Sequence, residues 1–253
     1  MSRLQLPDVT LCAVTSVNVS ATLEALQECM NRVEFADALL LTDAIVDAPS
    51  QLSVVRIPRI RSAEEYSLFI LERLADFIST SHCLIVQWDG FVLDSSRWDP
   101  AFLQVDYIGA PWPQFADDRN VGNGGFSLRS RKLLDACRQS GFRKHHPEDV
   151  AVCRTNRDLL ESELGIKFAN RLKAERFSFE RTHPTESTFG FHGVFNMIPA
   201  LGVDKFLRVY NLLDDRSTAF VDYGLLMSQF LKRSRRISPV YQLTKDKFLT
   251  MFD

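Results

Sequence analysis

Short apolar runs alternate with helix-spaced segments through the first part of the chain. Val9 to Thr15 (VTLCAVT) reads as a buried strand. Ser20 then caps a helix whose apolar positions Leu23, Leu26, Met30 and Val33 share one face. Ala38 to Thr42 is a second strand, ending at Asp43, and Val54 to Ile57 a third, stopped by Pro58. Ser62-Ala63-Glu64-Glu65 forms a capping box for a helix with Tyr66, Phe69, Ile70, Leu74, Phe77 and Ile78 on one side. Cys83 to Trp88 is the central strand and stops at Asp89-Gly90. Strand and helix in alternation predict an α/β fold with a mainly parallel central sheet flanked by helices. Ligands of such sheets bind beyond the carboxyl ends of the strands. Thr15, Asp43 and Asp89 all fall there.

The pattern changes after the central strand. All three tryptophans lie between Cys83 and Arg131, and VGNGGFSLRS closes that stretch with Gly122, Gly124 and Gly125 clustered in a strand-like segment. Glycines inside a strand mark a bulge or a close approach by a ligand or another part of the chain. Ser130 to Ser140 reads as a helix stopped by Gly141. Pro147 suits a helix start, with Glu148 and Asp149 in the first turn and the helix, or pair of helices, running to about Leu164. Phe168 to Asn170 and Phe177 to Phe179 are short strand-like pieces, and Thr188 to Val194 is glycine-spaced and aromatic. From Val203 the chain reads as helices, with Phe206, Val209, Tyr210 and Leu213 on one face. This divides the molecule into a ligand-binding part over 1–200 and a helical extension over 201–253 packed on it.

Composition narrows the class. A chain of 253 residues with net charge −2 has no global basic surface for nucleic acid. Nineteen phenylalanines call for an aromatic core. Five cysteines with no C-x-x-C spacing read as reduced, buried thiols, unsuited to metal ligation, and point to a cytoplasmic protein. The sequence shows neither a signal peptide nor an apolar run of ~20 residues, the length a membrane span requires. Lys232 to Arg236 (KRSRR) is either a peripheral contact for an anionic membrane surface or a solvated helix end.

Four positions carry candidate chemistry, each with a plain structural alternative. Asp89 is either a strand-end ligand for a divalent cation or a turn residue ahead of Gly90. Of Glu148 and Asp149, one is a general base, or both are acids favoured by a helix start. The positive helix end is expected to lower the pKa of Asp149. His192, between glycines, is a metal or phosphate contact or a satisfied structural histidine. Trp112 is a platform for a sugar face or a core residue between two prolines. His145, His146 and His183 read as surface residues.

The order QWDGF, W-x7-DYIGAPW, VGNGGFSLRSRKLL, PEDV, FGFHG resembles an uncharacterised glycosyltransferase-like domain family, itself similar to GT-A glycosyltransferases. The resemblance covers roughly Val9 to Met197. It implies a GT-A-like fold and a sugar nucleotide, with UDP expected, as donor. It further implies a glycan or glycolipid acceptor and a role in surface polysaccharide or lipopolysaccharide synthesis. By the same resemblance Asp149 is the base of an inverting transfer, and Glu148 orients the acceptor. Thr15, Asp43, Arg61, Asp89, Gly124 and Gly125 face the donor, and Trp112 and Asn123 the acceptor. Asp89 and His192 hold Mn²⁺ or Mg²⁺; Gln87 stands where the usual motif has its first acid. Two other functions fit the same residues: a GT-A module that binds without turnover, and a metal-dependent hydrolase using Asp89, Asp149 and His192.

Overall fold

The computed structural model describes residues 3–233 and 237–250. Four parallel strands come first: β1 (Leu4–Val14), β2 (Val33–Thr42), β3 (Ser53–Arg56) and β4 (His82–Val86). Helix α1 (Val19–Arg32) links β1 to β2, and α2 (Ala63–Glu72) precedes β4. Two short ribbon strands, β6 (Ala110–Pro111) and β7 (Val121–Gly122), stand between β5 (Tyr107–Ile108) and β8 (Phe126–Ser130). The six-stranded sheet has the order β3-β2-β1-β4-β8-β5. Only β8 runs against its neighbours, pairing Val86 with Phe126 and Ile108 with Leu128. The fold is therefore α/β with a mainly parallel sheet, as the alternation predicts.

Period-2 alternation between two covered faces explains why β1 is buried throughout its second half and apolar there except at Thr10. Val9, Leu11 and Ala13 enter a core shared with α1, whereas Cys12 and Val14 enter a second core with Ile70 of α2 and Leu74 and Ile78 beyond it. Both faces of the sheet are covered, so no position can be polar without cost; a buried Val or Leu contributes about 1.5–3 kcal/mol. The phenylalanines form the aromatic core that their number suggests. Phe102, Phe126, Phe177 and Phe189 are all buried, with Phe177 5.2–5.8 Å from the other three rings. All five cysteines are buried and unpaired.

The capping box holds: Ser62 Oγ accepts the Glu65 N–H at 3.2 Å, and Glu65 Oε2 accepts the Arg61 N–H at 2.8 Å. The helix it opens is shorter than the apolar spacing suggests. It ends at Glu72, and Leu74–Phe77 continue in a tighter turn that still buries Leu74. Helix α1 starts from Asn18, not Ser20, and Asn18 has φ 54°. Helix α3 (Arg131–Ala136) is capped by Ser130 and stops short of the expected Ser140. The segment after Pro147 opens as α4 (Glu148–Val150) and widens at once, so that the Asn156 N–H reaches back five residues to Ala151 O at 3.0 Å.

Beyond α5 (Arg171–Phe177), β9 (Ser178–Phe179) and β10 (Gly190–Phe191) form a parallel pair. Among the described residues, helices α6 (Val194–Leu201), α7 (Val203–Tyr210), α8 (Tyr223–Arg233) and α9 (Ile237–Thr250) follow. Phe206, Val209, Tyr210, Leu226, Phe230 and Leu243 join the same core as β1 and α1, so the helical region packs on the sheet domain. No helix among the described residues is long and apolar enough to cross a membrane. Of the basic run, Lys232 and Arg233 end α8, and 234–236 lie outside the described residues.

Candidate functional site

The reversal of β8 brings the glycine cluster to the ligand edge. Because Val86 pairs with Phe126, β8 starts where β4 ends, and Gly125 O comes within 3.2 Å of where a Cβ on Gly90 would stand, next to Asp89. Two side chains close onto them. A Cβ on Gly124 would stand 2.0 Å from Glu148 Oε1, and one on Gly125 would stand 2.0 Å from His192 Nε2. Glycine is required at both because no side-chain atom fits, whatever the backbone angles. The His192 ring is held from several sides and cannot step aside. Gly125→Ala is therefore expected to cost about 1–3 kcal/mol, the range of overpacking substitutions. A urea melt reads this directly, and an unchanged midpoint would mean the ring is not seated there.

His192 binds acids on both nitrogens. Nε2 is 3.3 Å from Asp89 Oδ1 and 3.3 Å from Gln87 Oε1, and Nδ1 is 3.3 Å from Glu180 Oε1. Asn123 Nδ2 lies 3.0 Å from Nδ1, its orientation set by Oδ1 accepting the Phe126 N–H at 3.1 Å. Burial alone would lower the pKa of the imidazole, but the carboxylates of Asp89 and Glu180 outweigh it and push the value up to about 10. Burial likewise opposes the charge on Glu180, yet His192 and Asn123 hold it below the usual glutamate range.

Asp149 faces the other side of the glycines. Its Oδ2 accepts the Gly124 N–H at 3.2 Å and its Oδ1 the Val150 N–H at 2.8 Å. Burial, then repulsion from Glu148, pushes its pKa up to about 6, against the lowering expected from the helix end. The helix effect loses because α4 is a single turn, whereas desolvation and a neighbouring carboxylate act at close range. Glu148 is 5% exposed, and its Oε1 accepts from Arg129 Nη2 at 2.8 Å. Arg129, 1% exposed, lies over the Tyr107 ring at 5.3 Å and donates from Nε to Ser127 Oγ at 3.1 Å.

A cleft of about 410 Å³ opens at the ends of β1 and β4. Thr15, Arg61, Tyr66, Gln87 and Glu148 line it, joined by Asp215 from the helical region. The Arg61 guanidinium forms no ion pair among the described residues. Asp43 follows β2 at the same edge, with Oδ1 buried and lacking a hydrogen-bond partner, but it is not in the cleft wall. Trp112 is a correction. It is 6% exposed, with its ring over Gly122 and 5.5 Å from Phe115, so its faces are used in packing and none is left for a sugar. A larger cleft of about 980 Å³ is walled by Trp98 and Phe179. Its charges pair among themselves, Arg176 with Asp99 at 3.0 Å and Arg171 with Glu175 at 2.8 Å, and it contains neither His192 nor the Gln87, Asp89, Asn123 and Glu180 side chains around it.

The structure thus gathers Asp89, Asn123, Gly124, Gly125, Glu148, Asp149 and His192, and places Thr15 and Arg61 in the adjoining cleft. Sequence reasoning missed Arg129, Glu180, Asn18 and Asp215. The pattern could have marked Arg129, a charge inside the strand-like FSLRS; nothing local marks the other three.

As to a divalent cation, Asp89 Oδ1 and Gln87 Oε1 are oxygen donors suited to Mg²⁺ or Mn²⁺, and His192 Nε2 would join them only by giving up the proton that its raised pKa retains. Two cis ligands each about 2.1 Å from Mg²⁺ are roughly 3 Å apart, close to the 3.3 Å between Asp89 Oδ1 and Nε2. Glu180 on Nδ1 stands where an outer carboxylate would orient the ring if Nε2 held a metal. Because it lies on the opposite nitrogen, the acids do not converge, and no three His, Cys, Asp or Glu side chains among the described residues form a complete metal cage. The residues fit a partial set only.

Curated proteins gave no match to the chain. Among solved structures, the apo form of the glycosyltransferase GlyE of Streptococcus pneumoniae TIGR4 is similar at TM-score 0.43 and 9% identity, over 91% of this chain and 64% of that one. A second GlyE structure from the same organism gives TM-score 0.36 and 12% identity, over 63% and 44% respectively. This chain therefore spans less than two thirds of the length of either. A family model matches residues 51–192, which include Asp89, Asp149, Glu180 and His192 and leave Asn18 and Asp215 outside. By that match the chain belongs to the DUF5672 family, described as proteins of unknown function.

Proposed function

We propose that the protein is a glycosyltransferase that moves a sugar from a nucleoside diphosphate to a hydroxyl of a glycan or glycolipid, with inversion and Asp149 as base. One juxtaposition supports this reading. Gly124-Gly125 separate a half-buried carboxylate with its pKa pushed up to about 6, Asp149, from the pair Asp89 and His192, beside a 410 Å³ cleft lined by Gln87 and Glu148. A general base works best with a pKa near the operating pH, which Asp149 approaches.

In the proposed reaction the donor nucleotide occupies the cleft, with its diphosphate between Arg61 and Gln87. Gly124 and Gly125 let Glu148 and His192 close onto the strand beside the sugar. Asp149 takes the proton of the acceptor hydroxyl while that oxygen bonds to the anomeric carbon from the far side. The bond from carbon to phosphate oxygen breaks, and its electron pair leaves with the diphosphate. Asp89, Gln87 and His192 would hold Mn²⁺ or Mg²⁺, which supplies positive charge for the departing diphosphate. UDP is the expected nucleotide, and synthesis of surface polysaccharide or lipopolysaccharide the expected setting.

A panel of sugar nucleotides, with and without Mn²⁺ and acceptor, tests this. Turnover that requires an acceptor supports transfer; hydrolysis without acceptor would make the protein a hydrolase, and binding without turnover a carrier module. Asp89→Asn is expected to weaken nucleotide binding in Mn²⁺ by about tenfold, the effect of losing one charged contact, and to leave binding in EDTA unchanged. Calorimetry that shows equal affinities for wild type and variant in Mn²⁺ returns Asp89 to the role of a turn residue.

A further inference from the structure

The cleft has a wall that the sheet domain does not supply. Asp215 and Thr218, between α7 and α8, line it opposite Thr15 and Arg61. They are held there by Asn18, which is 2% exposed at the head of α1. Its side chain pairs with the backbone of Asp215 in both directions: Nδ2 donates to Asp215 O at 2.7 Å, and Oδ1 accepts the Asp215 N–H at 2.9 Å. The Asn18 N–H also donates to the Asp214 carboxylate. An amide that matches the N–H and the C=O of one residue fixes both its distance and its orientation. Asn18 adopts φ 54°, a left-handed conformation that few residues tolerate but asparagine does.

This clamp leaves the Asp215 side chain in the cleft wall. Its Oδ1 accepts the Ser217 N–H at 2.8 Å, which sets the carboxylate, and Oδ2 has no hydrogen bond or ion pair among the described residues. A carboxylate accepts and cannot donate, so its ligand must present donors. Nucleosides of every base present the same two, the adjacent hydroxyls of ribose. We propose that the Asn18–Asp215 clamp makes the C-terminal helical region a wall of the donor cleft, and that the Asp215 carboxylate binds the ribose hydroxyls of the nucleotide. The second half rests on the donor reading above; the clamp does not. Binding then depends on residues outside the segment shared with the family, and Asp215 selects ribonucleotides over deoxyribonucleotides.

The experiment has two arms on the full chain. In the first, hydrogen exchange is followed in the peptide containing Asp215 for wild type and Asn18→Gly. Glycine keeps the positive φ and removes only the amide. Exchange in that peptide should quicken at least tenfold in the variant, while that of β4 stays unchanged; unchanged exchange near Asp215 overturns the clamp. In the second, calorimetry compares UDP, GDP, ADP and CDP, then the tightest of them with its 2′-deoxy form, on wild type and Asp215→Ala. Wild type should prefer the ribonucleotide about tenfold, corresponding to ~1.4 kcal/mol, and Asp215→Ala should bind both forms alike. Equal preference in both proteins overturns the role of Asp215 and leaves the donor reading standing. Absence of binding by all four nucleotides to wild type overturns the donor reading and the role of Asp215 with it, while the exchange arm still decides the clamp.

Discussion

Asp149→Asn is expected to lower turnover by roughly 10²-fold or more, the usual contribution of a general base, with donor affinity nearly unchanged. The wild-type rate should rise with pH through an apparent value near 6, where Asp149 ionises, and that limb should vanish in the variant. Stability should move the opposite way. A carboxyl whose pKa is raised on folding favours the neutral form. Its contribution is fully present below the unfolded value of about 3.9 and is lost as pH rises through the folded one. At pH 7 the wild-type protein therefore carries a charge that the fold resists, and the amide carries none. Asparagine keeps one acceptor oxygen and loses one of the two N–H bonds that Asp149 accepts, an offset that does not vary with pH. The decisive quantity is the difference in Tm between variant and wild type, which should grow in the variant's favour from pH 4 to pH 7. A constant difference, together with near-normal turnover, would reduce Asp149 to a helix-start acid.

The largest stability effect is expected at the Arg129–Glu148 pair. Arg129→Met leaves the Glu148 carboxylate buried without its cation, and breaking one side of a buried pair costs about 3–5 kcal/mol. Replacing both partners, as Arg129→Met with Glu148→Leu, removes both charges and should cost much less than the sum of the single changes. Chemical denaturation of the four proteins reads the coupling, and simple additivity would show that the pair is not buried as described. Glu148→Gln separates two roles for this acid. If Glu148 acts on Asp149 through its charge, the acidic limb of the rate profile moves below 6, because the repulsion that raises Asp149 is gone. If it contacts the acceptor, the acceptor KM rises and the limb stays in place.

These expectations show where the chain was readable. The apolar runs at Val9, Ala38 and Cys83 became the central strands because both faces of the sheet are covered, and such strands have no alternation to hide them. Asp89, Gly124, Gly125 and Asp149 could be singled out because a strand end, a glycine cluster and a helix start each leave a local mark. Glu180 left none. It meets His192 twelve positions along the chain, across a loop and β10, and a single acid at the head of a loop resembles any surface acid. Trp112 was misjudged in one of its two readings for a related reason: its partner is the absent side chain of Gly122, and the fit of a ring over a glycine appears only in three dimensions. The pKa of Asp149 ran against the helix rule because burial, which overrides the rule, depends on Arg129, Glu148 and the strand beneath them.

The bond between Asn18 and Asp215 joins residues 197 positions apart, and this bears on the order in which the protein becomes competent. Chains emerge from the ribosome at about 5–20 residues per second, and amino-terminal units fold first. The central parallel strands β1 to β4 are complete in sequence by Val86, and β8 by Ser130, so a growing chain can assemble the sheet while the cleft still lacks its last wall. Only after residue 215 has left the exit tunnel can the amide of Asn18 find its partner. A nascent chain arrested before that point would hold a nearly native sheet and a half-open cleft, and capacity to bind nucleotide would appear late in synthesis, as a separate event from acquisition of the fold.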